Sequence, residues 1–419
     1  MKILLVTDAA NETRSSVSEI VYRDACYLKG NNFEVEILTT TSQKMDYSES
    51  ASMASPSINF IATFKFKESL RSWITLYNPW AGRKFNKILK RFEPDVVHFH
   101  NVHQYLSFGL LRSAKLFGSK VFLTAHDVML FHYGKLIEFD QATMGFPYDK
   151  ELSYHVSAWQ QIKRFRYYYN PFRNFIIRRY LKYVDKIFSV SNALKQTLND
   201  NGIENVDVVY NAIDSNLWKP EYENIKKFKN KYHLHDKKVI FVGGRMSGLK
   251  GFKQMVLILK EIINNLPNTV LLIAGKENDH TLQLSKLAKE LNIEKNVIFT
   301  GWLEGEELKS AYHSSDVVCT PSVYFDPCPM INLEAMACRK PIVGTCFGGT
   351  KEIVRDNVHG YIVNPFDINV ISERITYLLR DTEKRKELGE NGYHTVKDNF
   401  NLDIRYQKTL EYYKTLSDQ

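Results

Sequence analysis

The chain has 419 residues, 44% of them apolar and 25% charged, with a formal charge of +9 and a pI near 9.0. That length predicts two or three domains with ample core, and the charge fits anionic partners such as nucleotides or phospholipid surfaces. No apolar run reaches the roughly 18 residues of a membrane-crossing helix. Met1–Ala10 holds a strand broken by Asp8, too short for a signal peptide's apolar core. The five cysteines form no CxxC pair, so a zinc site is not expected and reduced thiols are.

Strands are predicted over Lys2–Thr7, Phe33–Thr39, Asp95–Phe99, Lys120–Thr124, Asp185–Val190 and Val206–Tyr210, with helices such as Ser15–Lys29 and His103–Phe117 between them. A second series follows over Lys237–Gly243, Thr269–Ala274, Asn296–Thr300, Asp316–Thr320 and Pro341–Gly344. Such alternation predicts parallel sheets covered by helices on both faces, and two series predict two doubly wound domains. The join falls in the polar stretch Asn216–Asn230, and the tail Asp381–Gln419 is helical and aromatic.

The opening loop has no glycine before Gly30, which excludes a dinucleotide turn after the first strand. Arg14, Ser15 and Ser16 stand there instead. The serines either cap the helix or offer hydroxyls and helix-start amides to a phosphate. His98 and His100 alternate with Val97 and Phe99, so they share one face. Such a pair could bind metal. Packing is the reading preferred for His98, and acceptor contact for His100. His126 ends the strand of TAHD at the ligand edge of the first domain.

In FVGGRMSGLKGF, residues 241–252, a strand opens through glycines into a helix, and Arg245 and Lys250 place two cations at the strand's carboxyl end. Gly243 and Gly248 have P-loop spacing, but Leu249 stands where that loop needs lysine. Downstream, Asp326 and Glu334 bracket Pro327, Pro329 and an apolar run. Pro329 suits the first turn of a helix that Pro341 ends. Asp326 then lies in the entering loop and Glu334 within two turns. The N–H groups of Met330 and Ile331 favour an anion, and the carboxylates suit vicinal hydroxyls. An anion between two diols describes a nucleotide sugar.

The run Asp326-x7-Glu334, Pro341, Gly348, Gly349 and Glu352, with Gly244-Arg245 and Lys250-Gly251 upstream, resembles the retaining glycosyltransferases of family four. Asp326 replaces the family's first glutamate, and Ser15 and Ser16 replace its Gly-Gly. The resemblance implies a GT-B fold: two Rossmann-like domains facing a central cleft, with a C-terminal helix crossing back. The domains are 1–218 for the acceptor, 219–395 for the nucleotide-sugar donor, and 396–419 for the returning helix. It implies transfer of a sugar, a hexose by expectation, from a nucleotide-diphosphate sugar to an acceptor hydroxyl with retention. His126, Asp326, Arg245 and Lys250 are the catalytic candidates. Gly244, Met330, Ile331, Glu334 and Trp302 are the donor candidates, with Trp302 either shielding the base or filling core. Ser15, Ser16 and His100 are the acceptor candidates. No DxD motif is present, so no metal or other cofactor is expected, and protein cations replace a divalent ion.

Residues 152–184 carry seven Lys or Arg and no acid, interleaved with aromatics. They read either as a helix with solvated cations or as a surface facing an anionic membrane. The second reading suits a glycan or lipid-linked acceptor in surface-polysaccharide assembly, and a cytoplasmic protein peripheral on the inner face of the membrane. Nucleic acid is the poorer partner given the donor motif. The alternatives in function are a sugar-nucleotide epimerase of the same fold and a non-catalytic basic membrane or nucleic-acid binder.

Overall fold

The computed structural model describes residues 1–8, 16–43, 45–49, 55–63, 66–138 and 152–415. The chain forms two compact units. The first gathers Met1–Glu138, Ser153–Tyr210 and the chain from Arg405, and the second holds Asn211–Ile404.

The first unit contains β1 (Lys2–Val6), β2 (Glu34–Thr41), β3 (Tyr47–Glu49), β4 (Ser57–Ala62), β5 (Val96–Phe99), β6 (Lys120–Ala125), β7 (Lys186–Ser189) and β8 (Val206–Val208). They form one sheet in the order β3-β4-β2-β1-β5-β6-β7-β8, parallel except for the antiparallel edge strand β3. The second unit contains β9 (Lys238–Gly243), β10 (Thr269–Ala274), β11 (Val297–Gly301), β12 (Val317–Thr320), β13 (Ile342–Thr345) and β14 (Gly360–Val363). These form an all-parallel sheet ordered β11-β10-β9-β12-β13-β14. Helices cover both faces of parallel sheets, so the strands read as near-continuous apolar runs. Ile3–Val6 and all of Thr269–Ala274 are buried accordingly. Each sheet reverses its order beside its first strand, at β1/β5 and at β9/β12. That is where open α/β sheets bind ligands, at the carboxyl ends of the strands.

Five features of the elements depart from the sequence expectation. Strands β3, β4 and β14 were not predicted. SINFIA in β4 is mixed in polarity and lies near the sheet edge, while β14 opens on Gly360, where an added Cβ would meet the Ile342 carbonyl oxygen at 1.8 Å. The helix predicted from His103 begins only at Gly109. Its first turn is withheld because the N–H groups of Gln104, Tyr105 and Leu106 bond the Asp8 carboxylate at 2.5, 3.0 and 2.8 Å. Pro329 is the N-cap of the helix Met330–Ala337 rather than a member of its first turn.

The joins between units also sit a few residues from 218/219 and 395/396. Trp218 belongs to the second unit because its carbonyl meets His313 Nε2 at 2.8 Å and its ring meets Tyr312. The helix Thr382–Asn399 stays there because it packs on Met330–Ala337, with Gly392 against Met336. The last helix, Leu402–Thr415, returns to the first unit. Arg405 pairs with Asp24 at 2.9 Å, and Tyr413 joins the core with Ile3, Phe122 and Phe188.

Candidate active site

In the second unit the site is built at the carboxyl ends of β9, β12 and β13. Lys250 comes from the turn Gly248–Lys250, and Gly251 follows in the left-handed region at φ +74°. A Cβ on Gly251 would lie 2.0 Å from the Pro321 carbonyl oxygen, so only glycine lets this turn press onto the loop leaving β12. The loop in question, residues 321–329, is buried throughout. The contact brings Lys250 Nζ to 2.7 Å from Asp326 Oδ2, with Ser322 Oγ 3.5 Å from the same oxygen. Burial pushes the Lys250 ammonium down, but the Asp326 carboxylate and the Tyr324 hydroxyl outweigh it and raise its pKa. Lys250 therefore stays charged.

The Gly348–Gly349 pair holds Asp326 from the other side. Gly349 N–H donates to the Asp326 carbonyl at 2.9 Å. Gly348 has φ +67°, and a Cβ there would meet that carbonyl oxygen at 2.2 Å. The motif glycines are thus positions of close backbone approach around one carboxylate.

Met330 and Ile331 open the helix Met330–Ala337, and the first carbonyl bond within it is Asn332 N–H to Pro329 at 3.1 Å. The N–H groups of Met330 and Ile331 have no preceding helical carbonyl to meet. Glu334 lies one turn further and accepts a hydrogen bond from the buried Tyr312 hydroxyl. Burial first, and Glu334 second, push the Tyr312 pKa up, so it remains the donor. Its two oxygens let the Glu334 carboxylate accept further bonds. Arg245 is exposed and forms no salt bridge among the described residues, unlike Lys250. Gly244 N–H is tied to the Ala274 carbonyl at 3.0 Å and Gly275 N–H to Gly301 at 2.9 Å, which sets the ends of β9, β10 and β11 side by side. Trp302, one residue beyond β11, is 55% exposed, so it does not fill core.

In the first unit, β5 and β6 deliver a chain of histidines. His98 is buried, with Nδ1 at 2.5 Å from the Tyr413 hydroxyl and Nε2 at 2.7 Å from Thr124 Oγ1. Its role is packing. His100 stacks on it, is fully buried, and places Nδ1 2.9 Å from His126 Nε2. His126 is itself half-buried. Burial, then the Arg405 charge, lower the His126 pKa to about 4. Both rings are neutral near pH 7, and one donates to the other. His103 Nε2 stands 3.4 Å from Asp127 Oδ2, and burial first lowers its pKa to about 4. Asp8, buried under its three N–H donors, is pushed up to about 6 by desolvation. Ser16 begins the helix Ser16–Gly30 and is exposed, while Ser15 lies outside the described residues.

Sequence reasoning missed Tyr312 and Tyr324, which no motif marks, and Asp8, His103, Asp127 and Arg405. Asp8 and Asp127 had a usable signal, since each follows the carboxyl end of a predicted strand. Among the described residues, no group of three or more His, Cys, Asp or Glu is arranged to hold a metal ion.

Residues 17–217 match the family model of Glycosyltransferase Family 4, and residues 224–395 match that of Glycosyl transferases group 1. Together they take in nearly the whole chain, and the protein belongs to this glycosyltransferase family. It is 30% identical over 237 residues to an uncharacterized glycosyltransferase of Methanocaldococcus jannaschii, covering 55% of this chain and 60% of that protein. The chain spans about half to two thirds of the length of the curated relatives it matches. In fold it resembles sucrose-phosphate synthase of Thermosynechococcus elongatus, with TM-score 0.78, 18% identity and coverage of 99% and 98% of the two chains. It also resembles Anabaena HepE in complex with UDP-glucose, with TM-score 0.72, 16% identity and full coverage of both chains. The fold is of the GT-B type.

Proposed function

We propose that the protein is a retaining glycosyltransferase, a hexosyltransferase, that moves a sugar from a nucleotide-diphosphate sugar to an acceptor hydroxyl. The observation that carries the donor half is Lys250 held on Asp326 beside the helix start at Met330, with Glu334 one turn on. A cation and two helix-start N–H groups suit a diphosphate, and Glu334 suits the ribose hydroxyls. The UDP-glucose complex of the fold neighbour HepE supports a donor of this class.

In this reading the acceptor attacks from the face that the diphosphate leaves. The bond from the anomeric carbon to the phosphate oxygen breaks, and the bond to the acceptor oxygen forms. Same-face attack sets the acceptor's hydroxyl proton beside the departing phosphate oxygen, which takes it. Lys250, Arg245 and the amides of Met330 and Ile331 stabilise the charge developing on the leaving group. Protein cations fill the role that a divalent ion would have. Neutral His126 offers a hydrogen bond to a sugar or acceptor hydroxyl from the first unit.

The acceptor is a glycan or lipid-linked saccharide of surface-polysaccharide assembly, reached from the cytoplasmic side. The acid-free, aromatic stretch 152–184 supports an anionic membrane as the place of work. No described helix is long and apolar enough to cross a membrane, so contact would be peripheral. Calorimetry with a panel of nucleoside diphosphates tests the reading. One of them should bind, and Glu334→Ala should weaken it. Failure of all to bind would overturn the donor assignment.

A further inference from the structure

Two stretches of the first unit expose large apolar side chains that a solvated surface would not need. Trp73, Tyr77 and Trp80 lie in one, and Trp159, Tyr167 and Phe175 in the other, each between 44% and 73% exposed. Only the second stands out in the sequence, as an acid-free run of cations and aromatics. Clustered exposure of this kind marks an interaction surface, whereas scattered single residues would not.

The two stretches are packed together. Arg71, in the short helix Arg71–Ile74, stacks on Tyr133 at 4.9 Å and donates to its carbonyl at 3.3 Å. The same ring meets Phe165 at 5.3 Å, Tyr169 at 6.1 Å and the Arg173 guanidinium at 5.8 Å. Tyr133 thus joins the helix carrying Trp73 to the helices Ala158–Phe165 and Arg173–Leu181.

The charge on these stretches is one-sided. Residues 152–184 hold no acid, and residues 66–92 hold only Glu68. Arg83, Lys87, Lys163, Arg166 and Arg179 are exposed and form no salt bridge among the described residues. On the helix Pro79–Phe92, Arg83 and Lys87 follow Trp80 at spacings that share its face, and Lys84 lies over the Trp80 ring at 4.5 Å. Aromatics among uncompensated cations match the interfacial zone of an anionic bilayer, where rings sit at headgroup level and cations meet phosphates.

Beside Trp80 opens an apolar cavity of about 150 Å³, lined chiefly by Ile61, Phe66, Ile74, Tyr77, Trp80 and Tyr105. Tyr105 belongs to the loop that clasps Asp8 and carries His103. The cavity therefore has one wall on the membrane-suited face and another on the loop of the candidate acceptor site.

We propose that these two stretches together dock on an anionic membrane, and that the cavity receives the hydrocarbon chain of a lipid-linked acceptor. The proposal rests on the reading of the first unit as the acceptor unit. It is tested by co-sedimentation of the full chain with phosphatidylcholine vesicles containing graded phosphatidylglycerol, and by calorimetry with dodecyl phosphate below micelle formation. Nucleoside diphosphate binding is measured in parallel, so that failure of the donor reading is seen separately. Thermal melting confirms that each variant is folded.

Vesicle binding should rise with phosphatidylglycerol and fall with salt. Arg83→Ser with Lys87→Ser should weaken it roughly fivefold for each cation lost. Trp73→Ser with Trp80→Ser, and separately Trp159→Ser with Phe175→Ser, should each weaken it at least about tenfold. Thr63→Phe, which enlarges a side chain of the cavity lining, should abolish dodecyl phosphate binding and leave vesicle binding intact. Absence of vesicle binding at low salt, or loss through the Trp159 and Phe175 pair alone, would overturn the composite surface. Dodecyl phosphate binding that survives Thr63→Phe, or that inorganic phosphate displaces equally well, would overturn the cavity assignment.

Discussion

Replacing Lys250 with Met removes the ammonium 2.7 Å from Asp326. At an effective dielectric of about 20 the gross attraction at that distance is roughly 6 kcal/mol, most of it offset by desolvation of the two groups. Removing one partner of a buried pair commonly costs about 3–5 kcal/mol, because the remaining charge is left in a poor solvent. Asp326 is buried, but the Lys250 side chain is 23% exposed, which puts the loss at the low end, about 3 kcal/mol. For a unit of this size that lowers the melting temperature by roughly 6–12 °C. Lys250→Met with Asp326→Asn removes both charges and should recover most of that loss.

Nucleoside diphosphate binding should behave differently. It should be weak in Lys250→Met and remain weak in the double variant, because the cation proposed to meet the phosphates is absent from both. Thermal melting with and without saturating nucleoside diphosphate reads both quantities on the same samples. If the double variant regained wild-type nucleotide affinity along with its stability, Lys250 would be a structural residue only, and the reasoning would fail.

Glu334→Ala should cost roughly 1.5–3 kcal/mol of nucleoside diphosphate affinity by calorimetry, with Tyr312→Phe losing less; unchanged affinity in the Ala variant would remove Glu334 from the donor site. His126→Ala should leave that affinity nearly intact and strongly reduce transfer, while equal loss of both would make His126 a support of the fold. Acid should destabilise the protein between about pH 6.5 and 4. Burial holds His98, His103 and His126 at about 3, 4 and 4, so the unfolded chain takes up protons there that the folded chain refuses. Their effect is absent above pH 6.5 and grows as pH falls toward 4. Asp8, raised to about 6, acts with the opposite sign as pH falls from 6 toward 3.8, but it is one group against three. A melting temperature that rises on going from pH 7 to 4.5 would contradict the assignment.

The parallel architecture was legible because strands buried on both faces read as apolar runs between amphipathic helices, and eleven of them were recognised in the sequence. The edges were not, since β3 and β4 have mixed faces and β14 opens on Gly360. The late start of the helix at Gly109 was hidden for another reason. Its first turn yields to a carboxylate almost a hundred residues earlier, a bond that local periodicity does not carry. The motif spacing singled out Lys250, Asp326, Glu334 and the Gly348–Gly349 pair as candidates, but not that Lys250 and Asp326 hold each other. Tyr312 and Tyr324 act by burial beside those charges, and a lone tyrosine on an apolar face looks like core. His100 was read as an acceptor contact; its strand position was right, but the fold buries it completely against His126.

The most direct test of glycosyl transfer is turnover of a panel of UDP-, GDP- and ADP-sugars in the presence of EDTA, followed by proton NMR of the anomeric signals. One donor should be consumed slowly even with water as acceptor. The freed sugar should appear first in the donor's own anomeric configuration, and Lys250→Met should abolish its release. No consumption of any donor, or first appearance of the opposite anomer, would contradict the account.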